Sequence, residues 1–582
     1  MAAALLAAAG ATAVTEWPVV RKLEAAGIEP AKVGGAGGSS RSAEHRRLTR
    51  CENAGMHVGA PDPVATADLD RLGMPLPEPE LQARFDALQR KLVPQWELIE
   101  EFTDEPYGIV VVPSLSGVEL PLDSTKRQAY EERYLFLLFL LRQPRAKLIY
   151  VTSQPIQPSV IDYYLGLLPG VVASHARRRL HLVSPHDGGP PPLSAKLLER
   201  PRLLDEIRLL AGDPDRAHLV PYNTTRLERD LALRLGIPMY GADPKFSVLG
   251  TKSGGRALFA EAGVPHPEGR EGLRSFDDVV DAVLELVAAR PGIESVVLKH
   301  DEGVSGYGNA VLDVRGLEEA ERARVEQRLS DLRPEDAHSS PERFLERLAD
   351  GGIVEELVVA RELRSPSVQM RATPLGKIEQ LSTHDQLLGG ASGLSFLGSV
   401  FPASDEYARQ IAHEALKVGE ALAGRGVIGR FAVDFLTART DGGWKPYAIE
   451  LNLRKGGTTH PYLTLQFLTD GTYDAGRALF LTPTGEAKFF VSTDRLESEK
   501  YRVLQPDDVF DLAVRNGLHF DHTTKTGTVF HMMTTLGRHG LIGLTAVGDS
   551  REQAQSLFAR TRDAFNREAR EASSDQELPA VD

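Results

Sequence analysis

The chain has 582 residues, 42% of them hydrophobic and 25% charged, with a formal net charge of −14. That length supports several domains with real cores, and the acidic balance excludes a sequence-independent grip on nucleic acid. A single cysteine, Cys51, excludes an internal disulfide framework and any zinc site built on cysteine, which fits a reducing cytoplasm.

Met1 to Gly10 is an apolar run like the core of a signal segment, but Arg21 and Lys22 come too late to supply its basic flank. No apolar run of about 18 residues follows, so no membrane span is expected. Residues 31 to 80 are rich in Gly, Ser, Arg, Pro and Ala without periodicity. The first 75 residues are therefore expected to be disordered or an over-extended gene start, with Met56 and Met74 as alternative starts.

From about 80 to 243 the pattern alternates strand and helix. Strands are expected at 108–112, 147–152, 179–184 and 217–221. Helices are expected at 129–142, with a broad apolar face, and at 224–235, ended by Gly236. Such alternation argues for a parallel sheet flanked by helices. A boundary falls near Tyr240–Pro244. A small mixed unit follows, with helices at 253–262 and 276–289 and strands at 295–300 and 352–358. The charge-rich stretch 315–350 reads as helical and solvated on one face. Strands 367–373 and 377–383 form a hairpin around Pro374-Leu-Gly376. Ser404 is expected to cap a helix whose stripe is Tyr407, Ile411, Ala415, Val418 and Leu422. Strands near 526–533 and 541–547 and a helix after Ser550 close the folded part. The tail from 571 is polar and expected to be disordered.

The chemistry concentrates at Tyr447-Ala-Ile-Glu-Leu-Asn-Leu-Arg454. Side chains two apart on a strand share a face, so Glu450 and Asn452 offer a carboxylate and an amide oxygen together, and Arg454 extends the row if the strand continues. Hard oxygen ligands beside a guanidinium suit Mg²⁺ carrying nucleotide phosphates. Asp434 lies on a second apolar strand, Phe431–Phe435, and completes a candidate cluster. Lys299 sits on an apolar strand before the loop Gly303-Val-Ser305-Gly306-Tyr-Gly308, where backbone N–H groups can approach phosphates closely. The loop is neither a Walker motif nor a dinucleotide fingerprint, because a strand follows it. Lys252, at a helix start, can reach phosphates from the opposite side. Glu355 and Glu356 end a strand whose backbone can pair with an adenine edge, and Glu362 is placed for ribose hydroxyls. His519, His522 and His531 lack the spacing of a metal site, so a structural role is the better reading for them.

The order Lys252, Lys299, glycine loop, Glu355…Glu362, Asp434, Glu450-x-Asn452-x-Arg454 resembles the ATP-grasp superfamily. Ser365–Arg371, Ser382–Gln386, Leu453–Pro461, Thr526–His531 and Gly543–Asp549 are more specific and resemble its pheganomycin-type peptide ligase branch. The resemblance spans about 105 to 570. It implies an α/β and α+β architecture: a Rossmann-like pre-ATP-grasp domain (80–243), a two-subdomain ATP-grasp domain (244–485) and a small C-terminal α+β lobe (500–570). It implies an ATP-dependent carboxylate–amine ligase that forms an amide through an acyl phosphate and releases ADP and phosphate. ATP and one or two Mg²⁺ ions, with Mn²⁺ as a substitute, would be the cofactors, and an amino acid or peptide the substrates. Asp434, Glu450 and Asn452 would hold metal. Lys252, Lys299, Gly303, Ser305, Gly306, Gly308, Glu355, Glu356 and Glu362 would contact nucleotide. Arg454 would neutralise the transferring group, and Arg371 is a candidate carboxylate clamp. His384 and His460 are candidates to position a nucleophile or relay its proton, with a structural role equally open. The alternatives are a phosphotransferase on the same fold and a non-catalytic nucleotide-binding module. A dikinase would need a phosphohistidine carrier domain, and none is visible in the sequence.

Overall fold

Four short apolar runs build a parallel sheet in the order β3-β2-β1-β4. They are β1 (Tyr107–Val112), β2 (Ala146–Val151), β3 (Leu180–Val183) and β4 (Ala217–Pro221). The two central strands, β1 and β2, are buried on both faces, as strands covered by helices on either side must be. The Arg226–Leu235 helix starts at a capping box between Thr225 and Glu228 and stops at Gly236, whose φ of 72° needs no Cβ. The helix expected at 129–142 forms differently. An α-helix ends at Glu132 and passes into a ten-residue 3₁₀ segment, Arg133–Arg142, with every side chain buried. Tyr134 to Leu141 is apolar all round, so it is enclosed rather than striped.

The structure, a computed structural model, describes residues 76–100, 106–117, 122–304, 307–317, 322–335, 339–389 and 395–574. The disorder expected for 1–75 lies outside these residues, as do Ser305, Gly306 and the loop 390–394. The C-terminal helix runs from Arg551 to Ser574, past the position where the polar tail was expected to begin.

An antiparallel sheet of order β5-β9-β6-β7-β8 follows. It contains β5 (Gly269–Leu273), β6 (Ser295–Val304), β7 (Tyr307–Asp313), β8 (Arg333–Pro334) and β9 (Gly352–Glu356). The Phe276–Ala289 helix, capped by Ser275, packs Val279, Val280, Val283 and Leu286 against it. Gly303 lies near the end of β6 and Gly308 near the start of β7, so a strand follows the glycine-rich stretch as expected.

The largest sheet is antiparallel and has nine strands. Its members are β10 (Leu363–Arg364), β11 (Pro366–Ala372), β12 (Ile378–Gly389), β13 (Ser395–Phe401), β14 (Gly429–Thr440) and β15 (Gly443–Asn452). After a two-stranded hairpin of β16 (Thr472–Asp474) and β17 (Leu479–Leu481) it continues through β18 (Phe489–Glu497), β19 (Gly527–His531) and β20 (Leu541–Gly548). The order is β10-β14-β11-β12-β13-β18-β20-β19, with β15 also on β14. The C-terminal strands thus extend the sheet that carries Asp434. Under this sheet the Ala408–Gly424 helix buries Ile411, Ala415, Val418 and Leu422 against Val368, Met370 and Phe431. Ser404 opens its first turn through its carbonyl, which accepts from Ala408 N at 2.9 Å, while Tyr407 occupies the cap position. A single apolar core joins Ile109 and Leu148 of the parallel sheet to Leu463, Phe467, Phe530 and Phe565. Among the described residues no helix is long and apolar enough to cross a membrane.

Candidate nucleotide and metal site

Strands β14 and β15 pair so that Asp434 lies opposite Glu450 and Ala432 opposite Asn452. Opposed residues of an antiparallel pair share a face. The three polar side chains therefore cluster, and Asn452 Nδ2 donates to Asp434 Oδ2 at 3.1 Å. On the other flank of β14, Ser367 is the register partner of Asp434. Burial first, then the adjacent Glu450 charge, pushes Asp434 up to about 6. Burial also acts to raise Glu450, but the Lys252 ammonium outweighs it, with Arg454 and Lys299 adding to the effect, and holds Glu450 below its ordinary value. Two carboxylates and an amide oxygen meeting at one place suit a hard divalent cation.

Lys252 reaches this cluster from the first turn of the Lys252–Glu261 helix. Its Nζ donates to Glu450 Oε1 at 2.7 Å and to the Gly303 carbonyl at 3.1 Å, so one ammonium links the acid pair to the glycine loop. Its position is fixed by the start of the Lys252–Glu261 helix. Thr251 Oγ1 caps Gly254 N at 2.9 Å, and Asp301 of β6 accepts from Ser253 N at 2.8 Å, an acid at the positive end of the helix. Gly254 is obligatory there, because a Cβ would lie 1.9 Å from the Val248 carbonyl oxygen. Gly308 of β7 has a φ of 93°, and a Cβ there would crowd Gly303 and His300.

Lys299, on β6, pairs with Glu355 of β9, and Arg256 Nη1 holds the second oxygen of Glu355 at 2.9 Å. All three side chains are buried. Both oxygens of the Glu355 carboxylate, expected to contact nucleotide, are thus engaged by cations. Glu356 is likewise engaged, with Arg290 Nη2 at 2.7 Å and Glu268 N at 3.1 Å. Glu362 sits half-exposed against Arg364 and is not part of the cluster. The segment after β9 presents exposed Leu357 and Val359, which charge-based reasoning passed over.

Strand β15 ends at Asn452, so Arg454 does not continue its row. Its Nη1 lies 3.4 Å from the Tyr222 hydroxyl, just beyond β4, and 3.5 Å from the Lys455 carbonyl. The loop carrying it is pinned by Gln369, which bonds Thr458 at 2.6 Å and Thr459 at 3.0 Å, and by Lys455 Nζ on the Pro221 carbonyl at 2.6 Å. Gln369 falls within one of the quoted motif segments, but only the fold shows what it holds.

Arg371, expected as a carboxylate clamp, and His384, left open between chemistry and structure, both lie in the core. Arg371 is fully buried, ion-paired with Glu379 and stacked over Trp96, which leaves no approach for a substrate carboxylate. His384 is fully buried among Phe401, Phe490 and Tyr462, with Nε2 at 2.7 Å from Ser382 Oγ. Burial pushes it down to about 3, so it is a neutral core imidazole. His460 is also buried, and burial first, countered by Asp494, leaves it at about 3. It faces Asp494 and His531. A surface cleft of about 660 Å³ opens elsewhere, between Ser184 and Glu206, and includes none of the residues above.

Comparison with known proteins fits this geometry. A family model described as IQCH-like, ATP-grasp matches residues 245–348 and 335–476, and one for the PGM1 C-terminal domain matches 508–561. An L-propargylglycine–L-glutamate ligase of Streptantibioticus cattleyicolor is 28% identical over 443 residues, covering 75% of this chain and 88% of that protein. An IQ motif-containing protein H of Danio rerio is 24% identical over 542 residues, covering 83% of this chain and 50% of that protein. Among solved structures, the ADP complex of an N5-carboxyaminoimidazole ribonucleotide synthetase aligns with 14% identity and a TM-score of 0.45, over 80% of this chain and 98% of that one. Biotin carboxylase of Campylobacter jejuni aligns with 14% identity and a TM-score of 0.48, over 80% and 95%. By these likenesses the chain is similar to the ATP-grasp superfamily over residues 245–476 and to an amino-acid ligase over three quarters of its length.

Proposed function

We propose that the chain joins a carboxylate to an amine at the expense of ATP, with an amino acid on at least one side of the new amide. The observation that carries this reading is the in-register Asp434–Glu450 pair with Asn452, bridged by Lys252 to the glycine loop of the facing sheet. The ligase relative, which by its name joins two amino acids, supports the substrate class. Asp434, Glu450 and Asn452 would hold Mg²⁺, which when bound neutralises charge on the nucleotide phosphates. Lys252 would exchange Glu450 for phosphate oxygens, and Lys299 would reach them while still held by Glu355. Arg454 hydrogen-bonds only Tyr222 and Lys455 among the described residues, and its guanidinium is free to stabilise the charge of an acyl phosphate. We place the reaction in the cytoplasm, in keeping with the single cysteine.

A screen of amino acids and dipeptides, read by phosphate release and product mass, tests the reading. A ligase gives ADP, phosphate and a dehydrated product only with both substrates present. A phosphorylated product without free phosphate would establish a phosphotransferase instead, and neither product would establish a binding module.

A pH dependence follows from Asp434. A carboxyl raised to about 6 must lose its proton to hold a cation, so Mg²⁺ affinity rises with pH through that value and falls below it. Titrations near pH 5 and pH 7.5 should differ by about tenfold or more, since one proton competes for the site. Equal affinities at the two values would remove Asp434 from the metal site.

A further inference from the structure

Among the described residues, one trio of His and acidic side chains converges closely enough to share a metal ion. His460 stands at the start of the Thr459–Thr469 helix, Asp494 on β18 and His531 at the end of β19. His460 Nε2 and His531 Nε2 are 3.1 Å apart, and Asp494 Oδ1 lies 2.8 Å from His531 Nε2 and 3.3 Å from His460 Nε2. The three corners of such a triangle can all stand about 2.1 Å from one ion placed just off its plane, the bond length of zinc to imidazole and carboxylate. All three side chains are buried.

The surroundings are shaped for this convergence. Gly543 of β20 is the register partner of His531, and a Cβ there would lie 2.1 Å from His531 Nε2, so the glycine leaves the imidazole its place. The two oxygens of Asp494 divide their work. Oδ1 faces the imidazoles, while Oδ2 accepts from Arg133 Nη1 at 2.6 Å, the outer hydrogen bond that metal-bound carboxylates commonly carry. Arg133 comes from the 3₁₀ segment beside the parallel sheet and lies over Tyr222, the residue that Arg454 also reaches.

We propose that His460 Nε2, His531 Nε2 and Asp494 Oδ1 form a second metal site, for a divalent transition-metal ion of the zinc class. Two imidazoles and one carboxylate select zinc, cobalt or iron over magnesium, whereas the oxygen-only Asp434 cluster selects the reverse. The ion would clamp the helix that follows the Arg454 loop onto the C-terminal strands. Its role is to hold that loop, and it takes no part in phosphoryl transfer.

The test uses the full chain, stripped with a chelator and kept in saturating Mg²⁺ so that the acid pair is not available to other metals. Titration with Zn²⁺ should take up about one equivalent, Co²⁺ should give the visible absorption of a low-coordinate site, and Zn²⁺ should raise the unfolding temperature. Asp494→Asn and His531→Ala should each weaken uptake by at least about 10–100-fold. Wild-type protein with a native circular dichroism spectrum that binds less than roughly a tenth of an equivalent would overturn the proposal and leave a hydrogen-bonded trio. Undiminished uptake by both variants would overturn it too. Because wild-type uptake and the cobalt spectrum are read without turnover, their outcome is independent of the ligase reading.

Discussion

Glu450→Gln should leave the fold intact and remove turnover. The substitution keeps the shape of the side chain and an oxygen for Lys252 Nζ, now 2.7 Å from Glu450 Oε1, but deletes the charge. That charge does two things in the structure: it forms half of the Asp434–Glu450 pair and it holds the Lys252 ammonium in the cleft. Loss of one preorganised electrostatic group of this kind costs about 10²–10³ in kcat, and a group that holds a lysine and, as we propose, a metal falls at the upper end or beyond. The measurement is ADP release at saturating ATP, with thermal unfolding as the control. A variant that turns over within tenfold of wild type would take the metal role away from Glu450. Glu450→Ala should lose as much activity and some stability as well, because it strands Lys252, which is almost fully buried.

The acid pair was legible because its signal is local. Period-two alternation places Glu450 and Asn452 on one face, and the apolar run around Asp434 marks a neighbouring strand. The pairing of those two strands only needed confirming. The parallel strands near 108, 147, 180 and 217 were legible for the same reason, as short apolar runs bounded by polar turns. What escaped depends on contacts far apart in sequence. Arg371 reads as a candidate carboxylate clamp until Glu379 and Trp96 close over it. His384 reads as open between chemistry and structure until three aromatic rings surround it. His531 was grouped with His519 and His522, its neighbours in sequence, yet its partners are His460 and Asp494. No spacing rule joins positions 460, 494 and 531, because they meet only where a helix start lies across β18 and β19. The same holds for Arg256, which nothing in its local sequence distinguishes from a solvated helix residue, and which instead anchors Glu355.

Glu355 gives the sharpest contrast between sequence and structure, and Glu355→Ala is expected to destabilise the protein strongly. Its carboxylate is 2% exposed and is shared by Lys299 and Arg256, both also buried. Removing it leaves two like charges facing one another out of water, and breaking a buried pair in this way costs about 3–5 kcal/mol. Denaturant unfolding should show that loss. A second substitution separates positioning from contact. In the Glu355→Ala background, Lys299→Met removes one stranded charge and should recover part of the stability without recovering turnover, since Lys299 is the side chain we propose for phosphate contact. If Glu355 touched the nucleotide directly, the pattern would invert: the unfolding midpoint would hold, the KM for ATP would rise, and Lys299→Met would restore nothing. The geometry favours the first outcome, because both oxygens of the carboxylate are already held by buried cations.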